Sequence, residues 1–407
     1  MIDSDLRDRL RSVEPDSDPA VEERAWAAIR VAHAAATARG THSARKRRRW
    51  RMTLPAVAAL LALAAGTLAV ASPRHVAFGR WLREAIGLGA APQPRPLLAG
   101  LPGGGALLVN TPGGPWVVSP DGHRRHLGAY SAAVWSPHSL YVAAWRGARL
   151  DILTPGGRQQ WTLTAAHAIS VVRWSPDGYR IVYLSGRGLR VVAGDGTGDH
   201  PLATSAAAAP AWEPHTAAAH RIAVIGRSGE LRLLDADSGA TIWHVWAGGP
   251  ARQLLWSSDG TRLAVVGSHR IDLYDARGRP IAVEMPARGQ TIEHAAFAPR
   301  GDRIALVIGH TAPAGAAVTV LTATRHGFGG PTVLFNTRGL LAGLNWSPDG
   351  LWLLASSPSA DQWIFIRTRS PGAPEAVSRI AAQFGPHDHV PGFPSLGGWQ
   401  APPPKAG

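Results

Sequence analysis

A motif that returns about every forty residues constrains this chain more than any other feature. Beyond residue 100, a short apolar strand ends in an aromatic residue, a turn rich in Ser, Pro, Asp and Gly follows, and a second apolar strand comes next. Successive aromatic residues lie 39, 38, 44, 41 and 49 positions apart. They are Trp135, Trp174, Trp212, Trp256, Phe297 and Trp346. Because about four strands fit into each period, the pattern predicts an all-β chain built as a β-propeller.

The turn that follows each aromatic residue has a definite local chemistry. It reads Ser-Pro-Asp-Gly after Trp174 and Trp346, and Ser-Ser-Asp-Gly after Trp256. Pro sets φ at the second position, Ser bonds nearby backbone from the first, and Gly suits the fourth, which together favour a type I turn. We therefore interpret the acids and glycines of these turns as structural, and the aromatic residues as packing between neighbouring sheets. These turn residues are Asp177, Gly178, Asp259, Gly260, Asp349 and Gly350.

The number of blades depends on the two ends of the repeat region. Six full units run from about residue 130 to 382, and three further apolar strands precede them within residues 106–127. The segment 392–400 contains Phe393 and Trp399 and can supply the missing strand by pairing with the beginning of the domain. We therefore predict seven four-stranded blades, with six as the alternative.

Over residues 100–400, the chain resembles WD-repeat-like propellers of the TolB type, whose blades carry the same Trp-Ser-Pro-Asp-Gly turn. Two units match the motif fully, Trp174 to Gly178 and Trp346 to Gly350. The unit at Trp212 lacks Asp-Gly, and the unit at Phe297 replaces both Trp and Asp. The resemblance implies a fold and leaves the function open, since propellers serve many functions.

Residues 52–72 carry no charge and are long enough to cross a bilayer as a helix. A basic run precedes them, so the positive-inside rule predicts a cytoplasmic N-terminus and an extracytoplasmic propeller at the cell membrane. The basic residues are Arg45, Lys46, Arg47, Arg48, Arg49 and Arg51. The alternative is a signal peptide, because Ala69-Val70-Ala71 followed by Ser72 matches a cleavage pattern.

The rest of the chain consists of a segment before the predicted membrane span, a linker between the span and the propeller, the propeller itself and a short tail. Residues 1–51 suggest two short helices with acidic first turns, interpreted either as a partner-binding segment or as a mostly disordered tail. We expect an amphipathic helix and a Pro-rich spacer in residues 73–102, the propeller in 103–400 and a short tail in 401–407. The layout resembles that of membrane-bound anti-sigma-factor-type proteins of bacteria, which implies a cytoplasmic regulatory protein as a partner of residues 1–51.

No recognised catalytic motif is present, and we predict neither an enzyme nor a bound cofactor or metal. The chain has no Cys, and G-x-S-x-G, the phosphate-binding loop and H-E-x-x-H are absent. Residues 194–199 and 235–237 contain clustered side-chain oxygens of the kind that bind calcium. They lie at equivalent positions in successive repeats, so we interpret them as turns. In His387-Asp388-His389, two imidazoles flank a carboxylate, a combination that can ligate a transition metal, but the sequence indicates no further ligand to complete a site. Although the net charge is +14, the basic run lies beside the predicted membrane span, so we expect no nucleic acid partner.

These features predict a membrane-anchored module whose propeller binds a protein, peptide or glycan outside the membrane. Signalling through residues 1–51, similar to an anti-sigma factor, is part of this hypothesis. The alternatives are a propeller lyase or glycosidase with its site in the central channel, and a passive envelope scaffold.

Overall fold

The computed structural model describes residues 94–95, 98–203, 206–214, 220–311, 314–369, 373–385 and 392–401. The chain divides after Ala90, and every described residue belongs to the second unit, residues 91–407. The segment 1–51, the predicted span 52–72 and the predicted amphipathic helix before residue 90 therefore lie outside the described residues. Within the described part, no helix is both long and apolar enough to cross a membrane.

The described strands form seven sheets, which are the blades. The segment before the ring contains β1 (Pro94–Arg95), and blade 1 contains β2 (Ala106–Thr111), β3 (Gly114–Val118) and β4 (Arg124–His126). Blade 2 contains β5 (Ala132–Trp135), β6 (Val142–Arg146), β7 (Arg149–Leu153) and β8 (Gln159–Thr164). Blade 3 contains β9 (Ile169–Trp174), β10 (Arg180–Ser185), β11 (Gly188–Ala193) and β12 (His200–Ala203).

The remaining blades follow in chain order. Blade 4 contains β13 (Ala211–Trp212), β14 (Arg221–Ile225), β15 (Glu230–Asp235) and β16 (Thr241–Trp246). Blade 5 contains β17 (Gln253–Trp256), β18 (Arg262–Val266), β19 (Ile271–Asp275) and β20 (Pro280–Glu284). Blade 6 contains β21 (Gln290–Phe297), β22 (Arg303–Thr311), β23 (Ala314–Thr324), β24 (Gly327–Phe328) and β25 (Thr332–Thr337). Blade 7 contains β26 (Gly343–Trp346), β27 (Trp352–Ser357), the 3₁₀ turn Pro358–Ala360, β28 (Gln362–Arg367) and β29 (Glu375–Ser378). A single helical turn, α1 (Ile380–Gln383), and the last strand, β30 (Ser395–Gln400), complete the described chain.

The last strand closes the ring. β30 pairs antiparallel with β2, placing Trp399 opposite Leu107, so blade 1 is completed by the end of the propeller domain. The innermost strands contact one another in sequence around the axis, and the circle returns from β26 through β30 to β5. The prediction of seven blades closed by the segment 392–400 is thus confirmed.

A separate apolar cluster fills each of the seven boundaries between blades. Each cluster contains the aromatic residue at the end of one innermost strand, because that side chain leans across onto the preceding blade. The boundary between blades 7 and 1 holds Trp399, and the boundary between blades 5 and 6 holds Phe297 in place of Trp. Burial of apolar surface at these boundaries is the main force that holds the blades together.

The segment before the ring is attached to its side. β1 pairs in parallel with β29, the outermost strand of blade 7, and so covers an edge that would otherwise have unpaired backbone groups. Leu98 and Leu101 are buried in the cluster between blades 7 and 1. The Leu98 N–H donates to Gln383 Oε1 at 3.1 Å, and Arg124 donates to the same oxygen at 2.7 Å. Part of the predicted spacer is therefore integrated into the propeller.

Candidate binding face and central channel

The connections between strands divide between two faces of the ring. If the strands of a blade are called A to D from the axis outward, the A–B and C–D connections lie at one end and the B–C and D–A connections at the other. We call the first end the turn face and the second end the loop face. Backbone hydrogen bonds join the connections at each end: Ala247 donates to Gly229 on the loop face, and Gly194 donates to Tyr179 on the turn face.

The repeated Ser-Pro-Asp-Gly turns lie on the turn face, and their side chains are engaged in local hydrogen bonds. Ser175 Oγ donates to Asp177 Oδ1 at 2.5 Å and accepts the Arg180 N–H at 2.9 Å. Asp177 Oδ1 also accepts the Tyr179 N–H at 2.9 Å. Ser257 with Asp259, and Ser347 with Asp349, make the same Ser-to-Asp bond at 2.6 and 2.5 Å. Gly178, Gly260 and Gly350 have φ of 78°, 68° and 70°, a region that favours glycine.

The hydrogen bonds also explain why the carboxyl groups of Asp177 and Asp259 are ionised. Burial acts to raise the pKa of Asp177, but the bonds from Ser175 and the Tyr179 N–H outweigh it, so the pKa of Asp177 is lowered. Asp259 has the same balance, and its pKa is lowered as well. Asp177 further pairs with His220 of the next blade at 3.2 Å. These carboxylates stay ionised and hold their turns, and Asp177 also bridges blades 3 and 4.

The unit at Trp212 lacks the Ser-Pro-Asp-Gly sequence and stabilises its turn with an ion pair. Glu213 takes the position of the turn serine, is buried, and forms an ion pair with Arg221 at 2.5 Å. Burial raises the pKa of Glu213, although Arg221 acts in the opposite direction. The ion pair replaces the Ser-to-Asp bond of the other turns.

Two adjoining depressions lie on the loop face above blades 4 and 5. The larger has a volume of about 680 Å³ and is formed by three connections, mostly by small residues such as Ala206 and Gly249, with Arg227 also in its lining. The smaller has a volume of about 390 Å³ and includes Arg252, Arg270 and Met285. Both share the segment 248–250, so they form one groove. Met285, which lines the smaller depression, is 67% exposed, and Trp246, which directly precedes Ala247 of the larger depression, is 65% exposed.

Arginines without an acidic partner are spread over the loop face, and one of them, Arg227, lines the groove. Six exposed arginines in the connections of this face have no ion pair with Asp or Glu among the described residues. They are Arg146, Arg187, Arg227, Arg288, Arg338 and Arg379.

Most acids at the same end are already engaged. Asp151 pairs with Arg149 at 2.8 Å, Asp272 with Arg270 at 2.6 Å, and Glu293 with Arg252 at 3.7 Å. Asp361 accepts the Ala381 N–H at 2.8 Å. The loop face therefore presents unneutralised positive charge, while the Asp-rich turns lie at the opposite end.

The innermost strands line the central channel with two rings of side chains. On most of these strands, the residues one and three positions before the aromatic residue are partly exposed, whereas the residue between them is buried. The ring nearer the turn face comprises Val134, Arg173, Ala211, Leu255, Ala296, Asn345 and Gly398. The ring nearer the loop face comprises Ala132, Val171, Ala209, Gln253, His294, Gly343 and Leu396. Neither ring contains Asp or Glu.

Four polar residues interrupt the apolar channel wall. Gln253 Oε1 accepts the Ala295 N–H at 3.0 Å and so joins blades 5 and 6. Burial lowers the pKa of His294, with a smaller opposing effect of Glu293, so its imidazole is neutral at pH 7. Arg173 and Asn345 belong to the ring nearer the turn face. Sequence analysis missed all four, although aligning the innermost strands on their aromatic residues places each beside small or apolar equivalents.

The oxygen-rich turns at residues 194–199 and 235–237 use their carboxylates in local hydrogen bonds. Asp195 Oδ1 accepts the Thr197 N–H at 2.9 Å, and Asp235 Oδ1 accepts the Ser238 N–H at 2.8 Å. Across the part of the chain that the structure describes, no three His, Asp or Glu side chains are grouped to hold a metal ion. The trio His387-Asp388-His389 and the basic run Arg45 to Arg51 lie outside that part.

Comparisons with known proteins give no family. No protein-family model matches the sequence, and no curated protein matches it. Among solved structures, the chain is similar to Kuenenia stuttgartiensis hydrazine synthase, with 14% identity, a TM-score of 0.48, and coverage of 58% of this chain and 75% of that one. It is also similar to the β-propeller domain of Myceliophteria thermophila Cps50 (Swd1), with 12% identity, a TM-score of 0.48, and coverage of 61% and 86%. The assignment of seven blades depends on the sheet topology of this chain.

Proposed function

We propose that this propeller is a binding module and that its partner is an acidic, extended segment of a protein docked on the loop face. The observation that carries the proposal is the set of six exposed arginines without acidic partners on that face. A surface of one charge sign attracts the opposite sign and accelerates association. A neutral glycan would not draw on this charge, so the charge favours an acidic protein segment.

The groove above blades 4 and 5 supplies the place where such a segment lies. Most residues that line its larger part are Gly or Ala, which allow another chain to approach closely, and Arg227 lies in the same wall. The exposed Trp246 and Met285 offer apolar contact at the rim, where aromatic residues and Met often anchor partners.

Binding of defined peptides tests this proposal. The probes are a ten-residue Glu/Ser peptide and a Lys/Ser peptide of equal length, measured by fluorescence anisotropy with the purified full-length protein. We expect the acidic peptide alone to bind, with an affinity that falls as salt is raised, because exposed charges are screened beyond about 10 Å at 0.1 M salt.

Charge-reversal variants on the two faces distinguish binding at the loop face from a nonspecific effect of net charge. The variant Arg227→Glu with Arg288→Glu should weaken acidic-peptide binding at least tenfold. The matched variant Arg277→Glu with Arg300→Glu makes the same change of net charge on the turn face and should bind like the unaltered protein. Equal loss in both variants, or binding of the basic peptide, would contradict the proposal.

For the whole chain, we propose from the sequence that residues 52–72 anchor the protein in the cell membrane with the propeller outside. In this arrangement, residues 1–51 bind a cytoplasmic regulatory protein and couple it to the propeller, similar to an anti-sigma factor. A passive scaffold would lack that cytoplasmic partner. The rival enzyme needs carboxylates converging in the channel, and no Asp or Glu belongs to either ring, so no observation favours it.

A further inference from the structure

The outermost strand of blade 4, β16, has an open edge with exposed apolar side chains. Among the described strands it pairs only with β15. Ile242 and Trp246 are 47% and 65% exposed, and His244 between them is exposed as well. Trp243 and Val245 point to the other side and pack in the boundary between blades 4 and 5. One face of β16 is therefore anchored in the propeller, and the other is open to solvent.

The backbone of β16 is also free to pair along this edge. The Ala247 N–H donates to the Gly229 carbonyl at 2.9 Å. Because residues that bond to the partner strand alternate along an antiparallel pair, Val245 also bonds to β15, whereas His244 and Trp246 direct their N–H and C=O groups away from it. A row of such unpaired groups is a template for a further strand.

The outermost strands of the other blades lack this combination. β4, β12 and β20 contain Arg, Pro or Glu, which oppose the addition of a strand. On β8, Thr162 and Thr164 take the positions of His244 and Trp246. β25 is uncharged, but Val333 alone among its large apolar side chains is exposed. β29 is already extended by β1, which shows that an outer edge of this fold accepts an added strand.

The open edge is continuous with the loop-face groove. β16 runs from the turn face to the loop face, and Ala247, which follows Trp246, lines the larger part of the groove. Gly229, the acceptor of the Ala247 N–H, ends the connection that carries Arg227. An extended chain that pairs with β16 therefore reaches the groove and its positive charge at the loop-face end, where acidic residues are favoured.

We propose that the partner binds by strand addition: a short β-strand of the partner pairs with β16, and the acidic residues next to that strand enter the groove. Backbone bonds to His244 and Trp246 hold the strand, and its apolar side chains pack on Ile242 and Trp246. The acidic part of this inference rests on the proposed function, whereas the added strand has a test of its own.

Peptides with selectively methylated backbone amides test the added strand. The probes are acetyl-Glu-Ser-Glu-Ser-Thr-Val-Thr-Val-Thr-amide and the peptide of reversed order, which cover both strand directions, measured by fluorescence anisotropy with the purified full-length protein. In an added strand, only every second amide faces β16. Methylation of one alternating set of amides, either the Val set or the Thr set, should therefore weaken binding about tenfold or more, while methylation of the other set has little effect. Equal effects of both sets, or no binding of either peptide, would overturn the proposal.

Variants of β16 locate the edge that is used. His244→Pro removes an outward N–H without removing a bond to β15, and we expect it to weaken binding at least tenfold. His244→Ala keeps that N–H, and Thr162→Pro makes the same backbone change on blade 2, so both should bind like the unaltered protein. Trp246→Thr, which copies the equivalent residue of blade 2 and leaves the backbone unchanged, should also weaken binding. Unchanged binding to His244→Pro and Trp246→Thr would contradict strand addition.

The outcomes separate this inference from the proposed function. Binding that falls in Arg227→Glu with Arg288→Glu but is insensitive to amide methylation would keep the acidic partner and overturn the added strand. An alternating effect of methylation without any effect of charge reversal would support the added strand and contradict the acidic partner. A dimer in sedimentation without peptide that Trp246→Thr converts to a monomer would show that a second copy covers β16, which also overturns the proposal.

Discussion

At the scale of single residues, the indole N–H gives some of the recurring Trp residues a second role beside packing. Trp212, Trp256 and Trp346 each donate to the backbone carbonyl of the residue that precedes the aromatic position in the preceding blade. The acceptors are Arg173 at 3.2 Å, Ala211 at 3.1 Å and Ala296 at 2.9 Å. Phe297 takes the equivalent position without this bond, and Trp135 Nε1 and Trp174 Nε1 are buried with no acceptor in the described residues.

This difference predicts unequal costs for the same substitution. Trp256→Phe removes a bond between blades 4 and 5, whereas Trp135→Phe removes only an unpaired donor. Both side chains are similarly buried, 8% and 6% exposed, so the loss of packing is comparable. We expect Trp256→Phe to lower the free energy of unfolding by about 1 kcal/mol more than Trp135→Phe. Denaturant titration of both variants measures the difference, and equal losses would show that the indole N–H adds nothing.

At the scale of elements, the boundary between blades 7 and 1 differs from the other six. The two ends of the described chain meet there: β30 completes blade 1, β1 extends blade 7, and Leu98 and Leu101 fill the space between the two blades. The closing strand was predictable because Trp399 repeats the aromatic signal of the other blades. β1 was not, because two residues in a Pro-rich stretch carry no strand pattern and their parallel partner lies far away in sequence.

Removal of the closing strand should affect stability far more than removal of the tail. A chain that ends at Pro394 loses β30 and Trp399, leaves the β2 edge unpaired and opens the ring. Loss of the Trp side chain alone costs about 3–5 kcal/mol, so we expect Tm to fall by about 10 °C or more. A chain that ends at Ala401 is the control and should unfold like the full-length protein. A similar Tm for both chains, measured by calorimetry, would mean that blade 1 does not need β30.

At the scale of the whole molecule, the repeat predicts the ring of blades but not the charged and polar side chains that the ring displays. Period, turn chemistry and aromatic spacing identify the blades because each depends on residues close together in sequence. The charge of the loop face and the polar positions of the channel wall arise when residues from different blades are placed around one axis. Arg173 and Asn345 are far apart in sequence but occupy equivalent positions on their strands, so only alignment by blade relates them.

Membrane topology is the prediction that belongs to this scale. With tags before Met1 and after Gly407, protease added to intact cells should remove the C-terminal tag and leave the N-terminal tag until the cells are permeabilised. The mature chain should keep its full mass, because an anchor is not cleaved. A mature chain that begins near Ser72 would instead identify a signal peptide and remove the basis for signalling through residues 1–51.

Closure by β30 also determines when the propeller can be completed during synthesis. β2 ends at Thr111, but its inner neighbour begins only at Ser395. At about 5–20 residues per second, a ribosome needs roughly 15 to 60 s to make the intervening chain. Blades 2 to 7 can form from local strands during that interval, while one edge of β2 remains unpaired. The nascent chain therefore depends longest on protection from aggregation at its first blade, although that blade is the first part of the propeller to be synthesised.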